Sequence, residues 1–178
     1  MEFIKCENMK SLTKADEVLL ISVLEWYNED YDNVVQFMNI VKRKNGMSLR
    51  VIDWLVTNFS KSYAVTIETK GIPRDLNRDY QKNLSAYNKR NMDPFARRNK
   101  IVVTIMHDNS TEEKRSTTVG QLNFLRWFGR NKVAEYLVKN RHLVECHMKD
   151  TDPKRKCPRK IKKIISSKTY QGKFVMNF

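Results

Sequence analysis

The sequence predicts an α+β fold with a mostly helical N-terminal part, a small β-sheet, a helical hairpin and a basic C-terminal extension. Three observations lead there. Residues 14–59 carry three successive apolar stripes at helical spacing, each preceded by a Thr, Asp or Ser suited to cap a helix. Residues 101–107, IVVTIMH, are rich in β-branched side chains and apolar on both faces, as a central strand requires. From Lys149 the composition changes, and residues 154–163, KRKCPRKIKK, contain seven Lys or Arg. Residues 1–148 therefore read as one compact domain, and 149–178 as a basic extension that Cys157 and Ile161 equip to dock in part on that domain.

Taken in order, Thr13 with Asp16 resembles a capping box opening a helix over 14–28, with Val18, Leu20, Ile21 and Leu24 as its stripe. Asp30 or Asp32 caps a second helix that buries Val34, Phe37, Met38 and Val41, carries Lys42 to Lys44 at its C-terminal end and stops at Asn45-Gly46. Ser48 caps a third, with Leu49, Ile52, Leu55, Val56 and Phe59 inward, and the three are expected to form a compact N-terminal bundle. Residues 64–68 read as a strand ended by a turn at Gly71-Ile72-Pro73. Residues 108–116 mix acids and bases without apolar anchors and read as an exposed loop. Thr118 with Gln121 opens a helix burying Leu122, Leu125 and Phe128 and ending at Gly129; a partner helix follows over 131–140, then a strand over 142–148. Pro153 and Pro158 argue against a long helix in the extension, whose last residues, 173–178, suit an edge strand.

The stretch that organises the chain is 79–100, DYQKNLSAYNKRNMDPFARRNK. Leu76, Tyr80, Leu84 and Tyr87 fall on one side of a helix, and Arg78, Lys82, Ser85 and Lys89 on another. The helix is expected to end near Asn91, with Asp93-Pro94 starting a short turn that Phe95 pins to the core while Arg97, Arg98 and Lys100 stay outside.

The net charge of +14 over 178 residues attracts polyanions: nucleic acid, anionic lipid or an acidic protein face. No apolar run is long enough to span a bilayer, and the first residues lack a signal-peptide core. Three cysteines, Cys6, Cys146 and Cys157, are odd in number and irregularly spaced, which fits free thiols in a reducing compartment.

Chemistry-bearing constellations are few. Two helices around Gly129 have the form of a helix-turn-helix, but the second offers Lys132, Glu135 and Lys139, and a glutamate facing phosphate is unhelpful; a plain helical hairpin is the better reading. His142, Cys146, His147 and Cys157 are zinc-type ligands at poor spacing, so no metal and no cofactor is expected. Tyrosines alternate with basic residues at Tyr80, Lys82, Tyr87, Lys89 and Arg90 as in a single-strand platform, yet both tyrosines sit on the inferred core face. No Gly-rich phosphate loop, nucleophile elbow or HExxH occurs, and a non-enzymatic protein is expected. The expected contact residues for a polyanion or protein partner are Arg78, Lys82, Lys89, Arg90, Arg97, Arg98 and Lys100 on the domain. On the extension they are Lys154, Arg155, Lys156, Arg159, Lys160, Lys162 and Lys163.

At SLRVIDWLVTNFS (48–60), YQKNLSAYNKRNMDPFARR (80–98) and TTVGQLNFLRW (117–127) the chain resembles a family of uncharacterised proteins of nucleocytoplasmic large DNA viruses. The middle block is the most specific; relatives commonly carry a cysteine between DPF and the arginines, where this chain has Ala96. The resemblance implies a viral protein, and small basic proteins of such viruses commonly serve as virion components of minor-capsid or core type. A virion-associated structural protein that holds acidic neighbours is therefore the first expectation, located in the virion and the cytoplasmic virus factory. A nucleic-acid-binding protein for DNA or RNA, acting in viral transcription or genome packaging and extending to the nucleus, is the second.

Overall fold

The computed structural model describes residues 2–9, 12–69, 71–107 and 111–150; the expectations for residues 154–163 and for a closing strand at 173–178 lie outside them. The α+β class holds: helices pack around a three-stranded antiparallel sheet in the order β1 (Ile4–Cys6), β4 (Lys100–Met106), β5 (Glu112–Thr118), with a separate hairpin of β2 (Thr66–Thr69) and β3 (Ile72–Asp75).

Strand β4 is central, as its apolar composition requires. Ile101, Val103 and Ile105 face the helices together with Ile4 from β1, each at most 1% exposed. The neighbouring β5 corrects the reading of 108–116 as a loop. It pairs with β4 from Lys100↔Thr118 to Met106↔Glu112, and its inward positions carry Glu113, Arg115 and Thr117 instead of apolar residues. Hydrophobic periodicity therefore could not reveal it.

Helix α1 (Lys14–Glu29) starts where Thr13 Oγ1 accepts from the Asp16 amide at 3.2 Å. Its buried stripe is Asp16, Leu20, Val23, Leu24 and Tyr27. Val18 and Ile21 were expected inward but lie 69% and 49% exposed, because the helix is rotated to bury Tyr27 and an aspartate that has partners in the core. At the far end Asn28 accepts from the Phe3 and Ile4 amides (2.7 and 3.0 Å) and donates to Ile4 O (3.0 Å), closing the outer edge of β1.

Helix α2 (Tyr31–Val41) is capped by Asp30 and stops before a 3-10 turn, Lys44–Gly46. Helix α3 (Leu49–Trp54), capped by Ser48, runs on through a π-helical segment (Leu55–Phe59) into α4 (Ser60–Tyr63). The Val56 carbonyl in the π segment is taken by Ser60 Oγ (2.6 Å) and Asn77 Nδ2 (3.2 Å), which satisfies the disturbed ladder. These helices do not form the expected self-contained bundle. α1 and α2 pack on the helix α6 (Val119–Arg130), and the α3–π segment packs on α7 (Val133–Asp150) and α5 (Leu76–Tyr87).

Helix α5 (Leu76–Tyr87) begins on Asp75, which accepts from the Arg78 amide at 2.7 Å, and buries Leu76 and Tyr80 as expected. It ends at Tyr87, short of Asn91, because Asn88 turns to φ 61°. Before it, Gly71 at φ 76° turns the β2–β3 hairpin, so the Ile72-Pro73 turn is in fact the start of a strand.

Helix α6 (Val119–Arg130) is buried on nearly every side. Gly129 does not end it. A Cβ there would approach Trp26 at 2.8 Å and Gln36 Oε1 at 2.7 Å, so this glycine lets α6 lie against α1 and α2. The chain turns instead at Asn131 and Lys132 (φ 52°) into α7 (Val133–Asp150). The strand expected over 142–148 is the second half of that helix. Val144 and Cys146 are its buried positions, and it crosses the boundary drawn at residue 148.

Candidate functional site

Residues 88–99 form an irregular loop, leading into Lys100 at the start of β4, that is fastened to the body at several points. Arg90 Nη2 donates to both oxygens of Asp16 (3.1 and 2.9 Å), and Asn91 Nδ2 donates to Asp16 Oδ1 (2.9 Å). Burial raises the Asp16 carboxyl, but hydrogen bonds from Asn91 and Thr13 and the Arg90 charge hold it below the usual range. From α6, Asn123 Nδ2 donates to Asn91 O (2.8 Å) and Gln121 Nε2 to Pro94 O (3.1 Å). Gly120 allows the close approach, since a Cβ there would collide with Arg90 O and lie 3.1 Å from Asp93 O.

Within the loop Met92 is fully buried and Pro94 is buried. Asp93 starts the expected turn, its Oδ1 accepting from the Phe95 amide at 2.8 Å. Phe95 does not pin it. Met92 and Pro94 fill the space beneath, and the Phe95 side chain is left 48% exposed beside exposed Arg97, Arg98 and Lys100.

The expected contact residues separate into three groups. Arg78, Lys82, Lys89, Arg97, Arg98 and Lys100 are exposed, and none belongs to an ion pair among the described residues. Arg90 is also exposed, but it differs from the others in pairing with Asp16 at 2.9 Å, a contact that holds the loop. Lys154, Arg155, Lys156, Arg159, Lys160, Lys162 and Lys163 lie outside the described residues.

A second feature was missed by sequence reading. A cleft of about 280 Å³ opens between the β2–β3 hairpin, α5 and α6, with Arg74, Arg126 and Arg130 among its lining residues. Arg126 is 5% exposed and donates to Asn123 Oδ1 (2.7 Å), Ser22 Oγ (3.1 Å) and the Tyr87 hydroxyl (3.4 Å). Its guanidinium carbon also lies 5.9 Å from the Tyr87 ring centre. None of these partners is a carboxylate. Burial, reinforced by nearby Arg130 against the favourable effect of Tyr87 and Tyr27, presses its pKa down. Across the cleft Asp79 accepts from Trp127 Nε1 (2.8 Å) and Arg74 Nη1 (3.4 Å). The available signal was an arginine within the mostly apolar run 122–128, LNFLRWF, where Asn123 is the other polar residue.

Two further polar clusters are structural. Glu113 is held well below the usual range, to about 2, chiefly by the hydrogen bond from Lys42 (2.7 Å); His107 (3.1 Å) and Arg115 add to this against the effect of burial. Trp54 Nε1 donates to His147 Nδ1 (3.0 Å), which fixes that imidazole as the neutral Nε2–H tautomer, and burial lowers its pKa. Of the zinc-type residues, Cys157 lies outside the described residues. His142 and Cys146 are one helical turn apart on α7, with Nε2 3.8 Å from Sγ, and His147 faces Trp54. Among the described residues no three His, Cys, Asp or Glu side chains are grouped to hold a metal, and no helix is long and apolar enough to cross a membrane.

Comparison with known proteins gives a family and no function. Residues 1–173 match the model described as "Family of unknown function (DUF7197)". The chain is similar to "Uncharacterized protein L507" of Acanthamoeba polyphaga mimivirus, 28% identical over 158 residues that make up 86% of this chain and 61% of that protein. This chain thus spans less than two thirds of its relative's length, and a relative in a large DNA virus supports a viral origin. No solved structure matches.

Proposed function

We propose that this chain, which belongs to the DUF7197 family, is a non-enzymatic, virion-associated structural protein of a large DNA virus that docks acidic partner proteins through the 88–99 loop. The observation that carries the reading is exposed Phe95 beside Arg97 and Arg98 on a loop held by hydrogen bonds to the body. An aromatic flanked by arginines has the composition of an interface anchor. A loop already fixed by Asp16, Asn123 and Gln121 loses little conformational freedom on binding. Arg78, Lys82, Lys89 and Lys100 add exposed positive charge to the domain.

Several features weigh toward a protein partner. The tyrosines that would form a base-stacking platform are engaged inside: Tyr80 is 5% exposed, and Tyr87 packs on the core beneath Arg126. Helix α7 exposes Glu135 and Val138 between Lys132 and Lys139, an unsuitable face for a DNA groove. Among the described residues every buried side-chain nitrogen and oxygen already has a hydrogen-bond partner, which suits a structural module.

The alternative, nucleic-acid binding in viral transcription or packaging, draws its support from the net charge of +14 and the seven Lys or Arg of residues 154–163. Purified chain titrated with labelled duplex and single-stranded DNA and RNA across a salt series separates the two. Docking on protein predicts no micromolar binding near physiological salt. Tight binding that falls steeply with salt and is lost on neutralising Lys154, Arg155, Lys156, Arg159 and Lys160 establishes the alternative.

A further inference from the structure

We infer that the cleft between the β2–β3 hairpin, α5 and α6 is a binding site for a phosphomonoester dianion. The inference does not rest on the docking reading, since the cleft and the 88–99 loop present different residues.

The argument starts from Arg126. A guanidinium 5% exposed loses most of its hydration. The usual remedy is a carboxylate, and here the partners are a carboxamide oxygen, two hydroxyls and an aromatic face. These neutral groups orient the guanidinium without cancelling its charge. Arg130 and Arg74 line the same cavity, and the carboxylate facing them, Asp79, is shared with Trp127 Nε1. Three guanidinium groups against one carboxylate leave a surplus of two positive charges. That surplus matches a phosphomonoester, which carries about −1.5 to −2 at neutral pH.

The hydrogen-bonding inventory agrees. Planar guanidinium forks recognise phosphate oxygens in pairs. The Tyr87 hydroxyl accepts from Arg126 and keeps its own proton to donate, while Asn83 on the same wall spends its amide hydrogens on the Asp79 carbonyl and carboxylate (2.8 and 3.4 Å) and helps to fix that carboxylate. A volume of about 280 Å³ admits a phosphoryl group with a small substituent and is too small for a folded partner. Trp127, lining the cavity, provides a built-in optical reporter.

The test titrates the full chain with inorganic phosphate, phenyl phosphate and dimethyl phosphate, followed by tryptophan fluorescence and thermal midpoint. Saturable binding of phosphate or phenyl phosphate at pH 7.5 is expected, tighter for whichever is the natural form. Binding should weaken about tenfold at pH 5, where the ligand is a monoanion, and dimethyl phosphate should bind at least tenfold more weakly. Arg126 is too buried for its substitution to be informative alone. The decisive variants are therefore Arg130→Gln and Arg74→Gln at the cavity rim, each expected to weaken binding about tenfold. The combined Phe95→Ala, Arg97→Gln, Arg98→Gln variant should leave it unchanged. Absence of saturable binding, equal binding of dimethyl phosphate, or indifference to both rim variants overturns the assignment.

Discussion

Replacing Gly120 by Ala should destabilise the protein, although the same change in an unencumbered helix should stabilise it. Gly120 lies in the first turn of α6, and a Cβ placed there collides with the Arg90 carbonyl and sits 3.1 Å from that of Asp93. Those oxygens are backbone atoms of a loop tied to α6 by Asn123 and Gln121, so no side chain can swing aside. Relief requires the loop to lift. Lifting sacrifices two hydrogen bonds at about 1–3 kcal/mol together and exposes Met92, now fully buried, at about 1.5–3 kcal/mol. Against this stands a gain of about 1 kcal/mol for Ala over Gly in a helix. The expected net loss is about 2–5 kcal/mol, read as a lower urea midpoint at unchanged slope. A midpoint equal to or above that of the parent chain would refute the account of how the loop is held.

Other outcomes follow from the same geometry. The His147 pKa is lowered in the fold, so the stability tied to its neutral form is present above the unfolded value of about 6.5. It is lost as pH falls through that value to the depressed folded one; denaturation midpoints measured from pH 7.5 to 5 should decline, and His147→Gln, which keeps an acceptor for Trp54, should flatten the decline. Glu113, at about 2, contributes stability that is present above the ordinary glutamate value and lost as pH falls toward 2. Glu113→Gln should cost about 1 kcal/mol at neutral pH and reduce the acid sensitivity of thermal unfolding. The combined Phe95→Ala, Arg97→Gln, Arg98→Gln variant should change stability by less than about 0.5 kcal/mol while weakening partner binding at least tenfold, seen by comparing unfolding curves with interface titrations.

The parts legible in the sequence were those with a local signature. Thr13, Ser48 and Thr118 cap helices as expected, and of the two candidates Asp30 and Asp32 it is Asp30 that does, because capping depends only on a side chain and the next few amides. Strand β4 was legible because its run of β-branched and apolar residues, Ile101 to Met106, suits a central strand. What escaped was decided at long range. Strand β5 carries charges inward because Lys42, from α2, reaches Glu113. Gly129 looked like a helix stop and is a contact point with Trp26, a fact held in another helix. Phe95 was assigned inward on hydrophobicity alone, but only the packing shows that Met92 and Pro94 fill that space. Arg90 read as one more surface cation until Asp16, 74 residues away in sequence, supplied its partner. The Arg126 cleft joins residues from three separate elements, and no spacing rule links Arg74, Asp79 and Arg126.

The most direct test of the docking reading is partition of the protein on purified virus particles opened and treated with nuclease, comparing the parent chain with the Phe95→Ala, Arg97→Gln, Arg98→Gln variant. The account predicts that the parent chain stays with the protein shell after the nucleic acid is digested and that the variant is released at moderate salt. Release of the parent chain by nuclease, with retention indifferent to the loop variant, contradicts it and assigns the positive surface to the genome.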